Sequence, residues 1–359
     1  MSFVYNRALK LTVFGGSHKA LMGITIDGLK AGLKIDTDYI DSELARRRSI
    51  LSISTSRLEK DKYDIISGLF NGYTDGTPLT FLVHNECFES KAYNKDIIRP
   101  SHADYTAWLK YQGYQDYRGG GAFSGRMTTL ITIAGAISKQ LLKSKGINIY
   151  SHIKSIGTIC DDALSDVNSD KALLMEKDFP CISEEKRVEM MKEIMKIKEE
   201  GDSIGGTIET VISGVDGGIG EPYFNSMESD IASLVFSIPA CKGIEFGKGF
   251  AITRLKGSEA NDEFVSVNKK IITSTNNNGG INGGITNGMP IIFTTAFKPT
   301  PSISKSQNLF NIKTKKNINT KLEGSHDPSI THRALVVVES VGAIAVLNAY
   351  LERYGYMWL

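Results

Sequence analysis

Hydrophobic and polar positions alternate most clearly along residues 9 to 33, LKLTVFGGSHKALMGITIDGLKAGL. That pattern predicts a strand, a tight turn at Gly15-Gly16-Ser17-His18 and a second strand, with β-branched Thr12, Val13, Ile24, Thr25 and Ile26 on either side. Asp38 is placed to cap a helix through Arg48, with Ile40 and Leu44 on its apolar side and Glu43 set to pair with Arg47. Strands are expected at 63 to 69 and 79 to 85, around the Thr74-Asp75-Gly76-Thr77-Pro78 turn. Ser101 caps a helix ending near Gly113, Asp104 answers from its third position, and His102 falls in its first turn. The stretch 128 to 145 is amphipathic and stops at Gly146. A further helix spans 183 to 200 with Val188, Met191, Ile194 and Met195 on one side, a stripe that reads as core. A strand runs through Phe250, 303 to 322 reads as an exposed excursion, and the AIAVL run marks a buried final helix over 331 to 354.

Two stretches share one logic. A β-branched strand leads into G-x-x-x-G at Gly28 to Gly32 and again at Gly214 to Gly218, and each is followed by a capped helix, from Asp38 and from Ser226. This suggests an internal duplication. Asn276 to Gly288, NNNGGINGGITNG, has no room for a core; it is a linker or backbone laid along a flat ligand, and the strand at Ile291 to Thr295 favours the ligand. The fold class expected is α+β, with helices packed between antiparallel sheets, internal pseudo-symmetry and a single domain over 1–359.

At 359 residues the chain is long enough for a large core. A net charge of +2 and a pI near 8.2 advertise neither nucleic acid nor membrane as partner, so basic residues that matter must be clustered locally. Cys87, Cys160, Cys181 and Cys241 form no C-x-x-C pair, which argues against a structural zinc site, and no metal is expected. No signal peptide and no unbroken run near ~18 apolar residues is present, so the expected compartment is the cytoplasm.

Candidate chemistry concentrates in RPSHADYTAWLKYQGYQDYRGGGAFSGR, residues 99 to 126. It combines Arg99, Arg118 and Arg126 with His102 and Gly119 to Gly121, and arginine forks beside glycine backbone suit a phosphorylated anion. A flexible turn flanked by solvated charges has the same composition. Gly120 to Met127 mimics a P-loop but puts arginine for lysine and methionine for the hydroxyl; the dinucleotide fingerprint lacks its third glycine and a preceding apolar strand. Ser17-His18 presents a hydroxyl and an imidazole at a strand end, or a plain polar hairpin tip; Lys19 breaks a nucleophile elbow. The adjacent Ser325, His326 and Asp327 cannot converge as a hydrolytic triad, because neighbouring side chains point apart.

Taken together, FGGSHK (14 to 19), RRR (46 to 48), RPSHADYTAWLKYQG with DYRGGG (99 to 121), GDSIGG (201 to 206), SIPACKGIEFG (237 to 247), NNNGGINGGI (276 to 285), FKPTPSI (297 to 303) and GSHDPS (324 to 329) resemble the chorismate synthase family over nearly the whole chain. The resemblance implies a homotetrameric lyase that eliminates phosphate from 5-enolpyruvylshikimate 3-phosphate to give chorismate, using reduced FMN without net redox change, or else a catalytically weakened FMN-binding paralogue. By similarity His18 protonates the departing phosphate, His102 protonates the reduced flavin, and Asp327 and Ser17 steer proton removal. Arg48, Arg99 and Arg126 bind substrate anions, and Arg47 matches a position linked to a nicotinamide nucleotide, with NADPH a candidate flavin reductant. Flavin contacts carry over to Ala122, Phe123 and Ser124, to Pro239, Ala240 and Gly283, and to Lys298, Pro299, Thr300, Pro301, Ser302 and Ser325. Two motifs depart from the family: its GESHG is GGSHK here and its GRHDPC is GSHDPS, so a carboxylate is missing at Gly16, an arginine is missing at Ser325, and Lys19 adds a cation that restores charge only if it points inward.

Overall fold

The computed structural model describes residues 3–48, 50, 52–55, 60–86, 93–164, 174, 177–322 and 326–359. Five antiparallel strands form a first sheet: β1 (Val4–Asn6), β2 (Lys10–Gly15), β3 (Leu21–Asp27), β4 (Tyr63–Ser67) and β5 (Leu79–His84), in the order β1-β2-β3-β5-β4. A second antiparallel sheet contains β6 (Asn148–Ile156), β7 (Ile159–Cys160), β8 (Gly206–Ser213), β9 (Cys241–Phe246) and β10 (Ile291–Phe297), in the order β7-β6-β8-β10-β9. The principal helices are α1 (Thr37–Arg46), α2 (Asp104–Tyr111), α3 (Thr128–Ser144), α4 (Glu184–Glu199), α5 (Met227–Val235) and α6 (Thr331–Tyr354). Helices α3 and α6 pack on each other, α3 touching both sheets and α6 the second, and one apolar cluster runs through all these layers.

The suspected duplication is visible in the topology. The succession β2-β3-α1-β4-β5-α3 recurs as β6-β8-α5-β9-β10-α6, and the strands take equivalent places in their sheets, β2-β3-β5-β4 against β6-β8-β10-β9. Gly28 and Gly214 close the equivalent strands β3 and β8 at φ +101° and +83°. A Cβ on either would strike backbone just ahead of the preceding strand, 2.4 Å from Ala8 O or 2.5 Å from Gly146 O. The same close approach thus demands glycine in both halves.

Helix α6 is long and apolar enough, by length and composition, to cross a membrane, although its apolar runs are short. Here that whole apolar stretch is buried inside the protein. Its one buried acid, Glu339, is gripped by both terminal nitrogens of Arg46 at 2.6 and 2.8 Å and by Lys139 of α3. Burial alone would raise that carboxyl; the two cations outweigh it and hold the group below the usual carboxylate range.

Several boundaries differ from the sequence pattern. Asp36, not Asp38, caps α1 by accepting the Tyr39 amide, and Glu43 pairs with Arg46 and Lys139 rather than Arg47. Helix α2 begins only at Asp104, because the Ser101 backbone is left-handed (φ +54°) and the Asp104 carboxylate turns back to Arg99 instead of capping; His102 therefore precedes the helix. On α4 the face that meets the sheet holds Met190 and Ile194, leaving Val188 and Met195 exposed. The strand expected through Phe250 ends at Phe246. Residues 303 to 322 include a hairpin, Gln307–Asn311 against Lys316–Thr320, which extends onto Ile97–Ile98.

Candidate active site

The turn after β2 docks on the triple glycine. Gly119, Gly120 and Gly121 have φ of +54°, +80° and +53°, conformations that a side chain resists, and they place the loop's backbone against residues 16 to 18. Gly121 O accepts the Ser17 amide at 3.3 Å, and the Ser17 hydroxyl donates to Gly119 O at 3.2 Å. A Cβ on Gly119 would lie 2.1 Å from His18 Nε2, and one on Gly120 would lie 3.3 Å from His102 Cε1. Consecutive Cα atoms are ~3.8 Å apart, so the two imidazoles flank one short piece of backbone. Both line a single cavity of about 1810 Å³. His18 is buried, with the Tyr93 ring edge-on at 5.2 Å.

Asn85, at the end of β5, ties this turn to Arg126. Its Nδ2 donates to Gly16 O (3.1 Å) and Lys19 O (2.8 Å), while its Oδ1 accepts from Arg126 Nε at 3.2 Å. Arg126 also pairs with the buried Asp61 and donates to His84 O at 3.2 Å. Arg47 shares Asp61 at 3.7 Å and donates to Thr129 Oγ1 (2.6 Å) and Thr128 Oγ1 (2.9 Å). Its pKa is pushed down to about 10, chiefly by burial, with Arg333 and Arg126 adding to the effect and Asp61 opposing it. Arg47 Nε is buried without a partner among the described residues, although the side chain lines the cavity.

Arg99 is likewise engaged, with Nε and Nη2 each 2.8 Å from Asp104 and Nη2 3.1 Å from His102 Nδ1. Asp327 accepts the Thr55 amide at 3.0 Å and Arg333 Nη1 at 2.7 Å. Thr300 caps its carbonyl at 2.7 Å, which joins the Lys298–Ser302 loop to the end of the chain. Lys298 donates to Ser101 O at 2.6 Å; its ammonium is held below the usual lysine range by burial and by Lys242. Lys19 does not point inward. Its side chain is 58% exposed and lies 3.7 Å from Asp116, whose carboxyl is pulled down to about 2, first by the bond from Arg118.

Of the residues singled out in the sequence, the cavity brings together His18, His102, Asp327, Arg47, Arg48, Arg99, Arg126, Ala122, Phe123, Ser124, Pro239, Ala240, Lys298, Thr300, Pro301 and Ser302. Ser17, Pro299 and Gly283 are not among its lining residues. Ser17 lies behind the glycine loop, and Gly283 sits in the turn between Ile281–Asn282 and Ile285–Thr286. Ser325 lies outside the described residues. Sequence reasoning missed Asp61, Asn85 and Arg333 and gave Asp104 a capping role; all four hold the expected residues in place, and their sequence signal is a polar side chain at the end of an element or beside a motif.

Among the described residues the lining carries nine lysine and arginine side chains against five carboxylates. In a chain of net charge +2, this concentrates positive potential where a multiply charged anion would sit. The left-handed loop 119 to 121, the adjoining loop 122 to 124 and Ala240 at φ +69° bring main chain to the wall. Together with the orphaned Arg47 Nε, this fits a flat, phosphorylated group.

Comparison with known proteins agrees. The chorismate synthase family model matches residues 9–351. A chorismate synthase of Pyrococcus abyssi is 45% identical over 349 residues, covering 97% of both chains, and one of Methanobrevibacter smithii is 44% identical over 360 residues, covering 99% of this chain and 98% of that one. A crystal structure of a chorismate synthase superposes with a TM-score of 0.77 at 28% identity, covering 98% of this chain and 94% of that chain. Most of the family's motif residues thus meet in one basic cavity, within a matching fold and along nearly the full length: the chain belongs to the chorismate synthase family.

Proposed function

We infer that this lyase removes phosphate and a ring proton from 5-enolpyruvylshikimate 3-phosphate to form chorismate. The observation that carries this reading is the convergence of His18 and His102 on adjacent glycines inside a cavity with nine cations and five carboxylates. A substrate with one phosphate and two carboxylates needs that excess. Reduced FMN, held by the loops 122 to 124, 239 to 240 and 298 to 302, would lend and recover electron density, so no net redox change is needed. His18 gives its proton to the departing phosphate, and His102 holds the proton on the flavin side. Arg48, Arg99 and Arg126 take the substrate anions; Arg48 is exposed at the cavity wall, and Asp104 and Asp61 hold Arg99 and Arg126 in place beside it. Asp327, fixed by Arg333 and the Thr55 amide, serves removal of the ring proton. Ser17 acts by tying down Gly119. By family resemblance the enzyme works as a cytoplasmic homotetramer, which light scattering tests through a mass of four chains.

The deciding experiment supplies chemically reduced FMN and substrate without oxygen and follows chorismate. Product is expected, and turnover driven by NADPH alone would add flavin reduction to the activity. The outward Lys19 does not supply the charge of the arginine missing at Ser325, which favours a weakened paralogue as the second reading. FMN binding without product would select it.

A further inference from the structure

We propose that Asp104 is a positioning residue that fixes the ring of His102 and keeps one proton on Nδ1, so that Nε2 is the atom that takes up and gives the mobile proton in the cavity. The inference rests on the proton-handling role given to His102 above. Asp104 Oδ1 lies 2.8 Å from Arg99 Nη2 and 2.9 Å from His102 Nδ1, and these two nitrogens are 3.1 Å apart. An arginine nitrogen only donates. The short nitrogen–nitrogen contact is therefore either an Arg99 bond to a bare Nδ1 or two donors meeting on one shared oxygen. A bare Nδ1 would turn its lone pair onto a carboxylate oxygen at 2.9 Å, acceptor against acceptor. A protonated Nδ1 satisfies all three groups.

Asp104 is itself held firmly. Its Oδ2 accepts from Arg99 Nε at 2.8 Å and from the Arg99 amide at 3.1 Å. Burial alone would raise its carboxyl, but the bonds from Arg99 and His102 outweigh that and keep it well below the usual range, so it stays ionised at working pH. The left-handed Ser101 bends the chain so that residues 99, 102 and 104 converge. On the opposite side, a Cβ on Gly120 would lie 3.3 Å from His102 Cε1 and 3.8 Å from Nε2, so glycine leaves that edge of the ring uncovered. A carboxylate behind an imidazole that must keep one tautomer is a general device for directing proton transfer. It also gives Arg99 a scaffold role.

The test combines ring-nitrogen NMR of His102 with steady-state kinetics on the full-length protein. In the wild type the neutral ring should carry its proton on Nδ1. In Asp104→Asn that preference should weaken, and kcat should fall about 10²-fold while the substrate KM stays within about 2-fold. Asp104→Glu, which restores the charge, should recover part of kcat, and melting curves identify any variant that fails to fold. An unchanged His102 tautomer in folded Asp104→Asn, or a higher KM at unchanged kcat, overturns the positioning role. His102→Ala separates the two levels: wild-type turnover there removes the role of His102 itself, whereas a slow His102→Ala beside a wild-type Asp104→Asn removes only that of Asp104.

Discussion

At the scale of single residues the site depends on a contact between stretches a hundred positions apart. Any side chain at residue 119 must displace the His18 imidazole, since its Cβ would lie 2.1 Å from Nε2 at a φ of +54°. Gly119→Ala should therefore lower kcat by roughly 10² or more, the range expected for loss of a placed proton donor, with a far-UV spectrum like that of the wild type. Wild-type turnover in that variant would show that the glycine does not set the imidazole. The sequence exposed both partners, as a Ser-His turn and a triple glycine, but not their meeting, because proximity across the fold leaves no local pattern. The arginines were legible as cations and illegible as partners. Arg99 and Arg126 read as forks for substrate, yet Asp104 and Asp61 already hold them, since counter-ions are chosen by tertiary packing.

At the scale of elements, strong periodicity carried through: α3 and α4 fall within a residue of the expected spans, with Ser183 capping α4. Where backbone turns left-handed, as at Ser101, a side-chain cap was a poor guide. Strand β6 buries His152 between Asp161 at 2.8 Å and Glu209 at 3.2 Å, and Lys154 holds the other Glu209 oxygen at 2.7 Å, a cluster that no motif in the sequence marks. Burial alone would lower this histidine; the two carboxylates outweigh it and raise it. Glu209 is in turn held down to about 2 by its bonds from His152 and Lys154, which outweigh burial, and Asp161 is lowered as well. A raised histidine stabilises fully below its unfolded value of ~6.5 and loses that contribution as pH climbs through the folded value; lowered carboxylates stabilise above ~4 and lose theirs on acidification. His152→Gln should thus cost about 2 kcal/mol near pH ~5.5, and the gap from wild type should narrow as the medium turns alkaline. Urea denaturation across pH checks this; a constant gap would mean that the buried ring is neutral.

At the scale of the molecule, the cavity lies at the seam of the two repeats. His18, His102 and Arg126 come from the first, while Pro239, Lys298, Asp327 and Arg333 come from the second. Neither half carries the full set of charges, and the chain as a whole, at +2, gives no sign of them. The repeat itself was faintly legible in Gly28 and Gly214, whereas the seam depends on how two sheets close over α3 and α6. Because cations outnumber carboxylates nine to five among the described residues lining that seam, attraction for a multiply charged anionic substrate acts locally and should be sensitive to screening. Raising salt from ~20 to ~500 mM shortens the screening length from roughly 20 Å to roughly 4 Å. Over that range kcat/KM should fall about 10-fold, almost entirely through KM, because salt weakens capture of the anion and leaves the buried proton donors in place. A neutral osmolyte at matched osmolality should leave KM unchanged. If kcat/KM were flat across the salt series, the basic excess at the seam would not be what draws the substrate in.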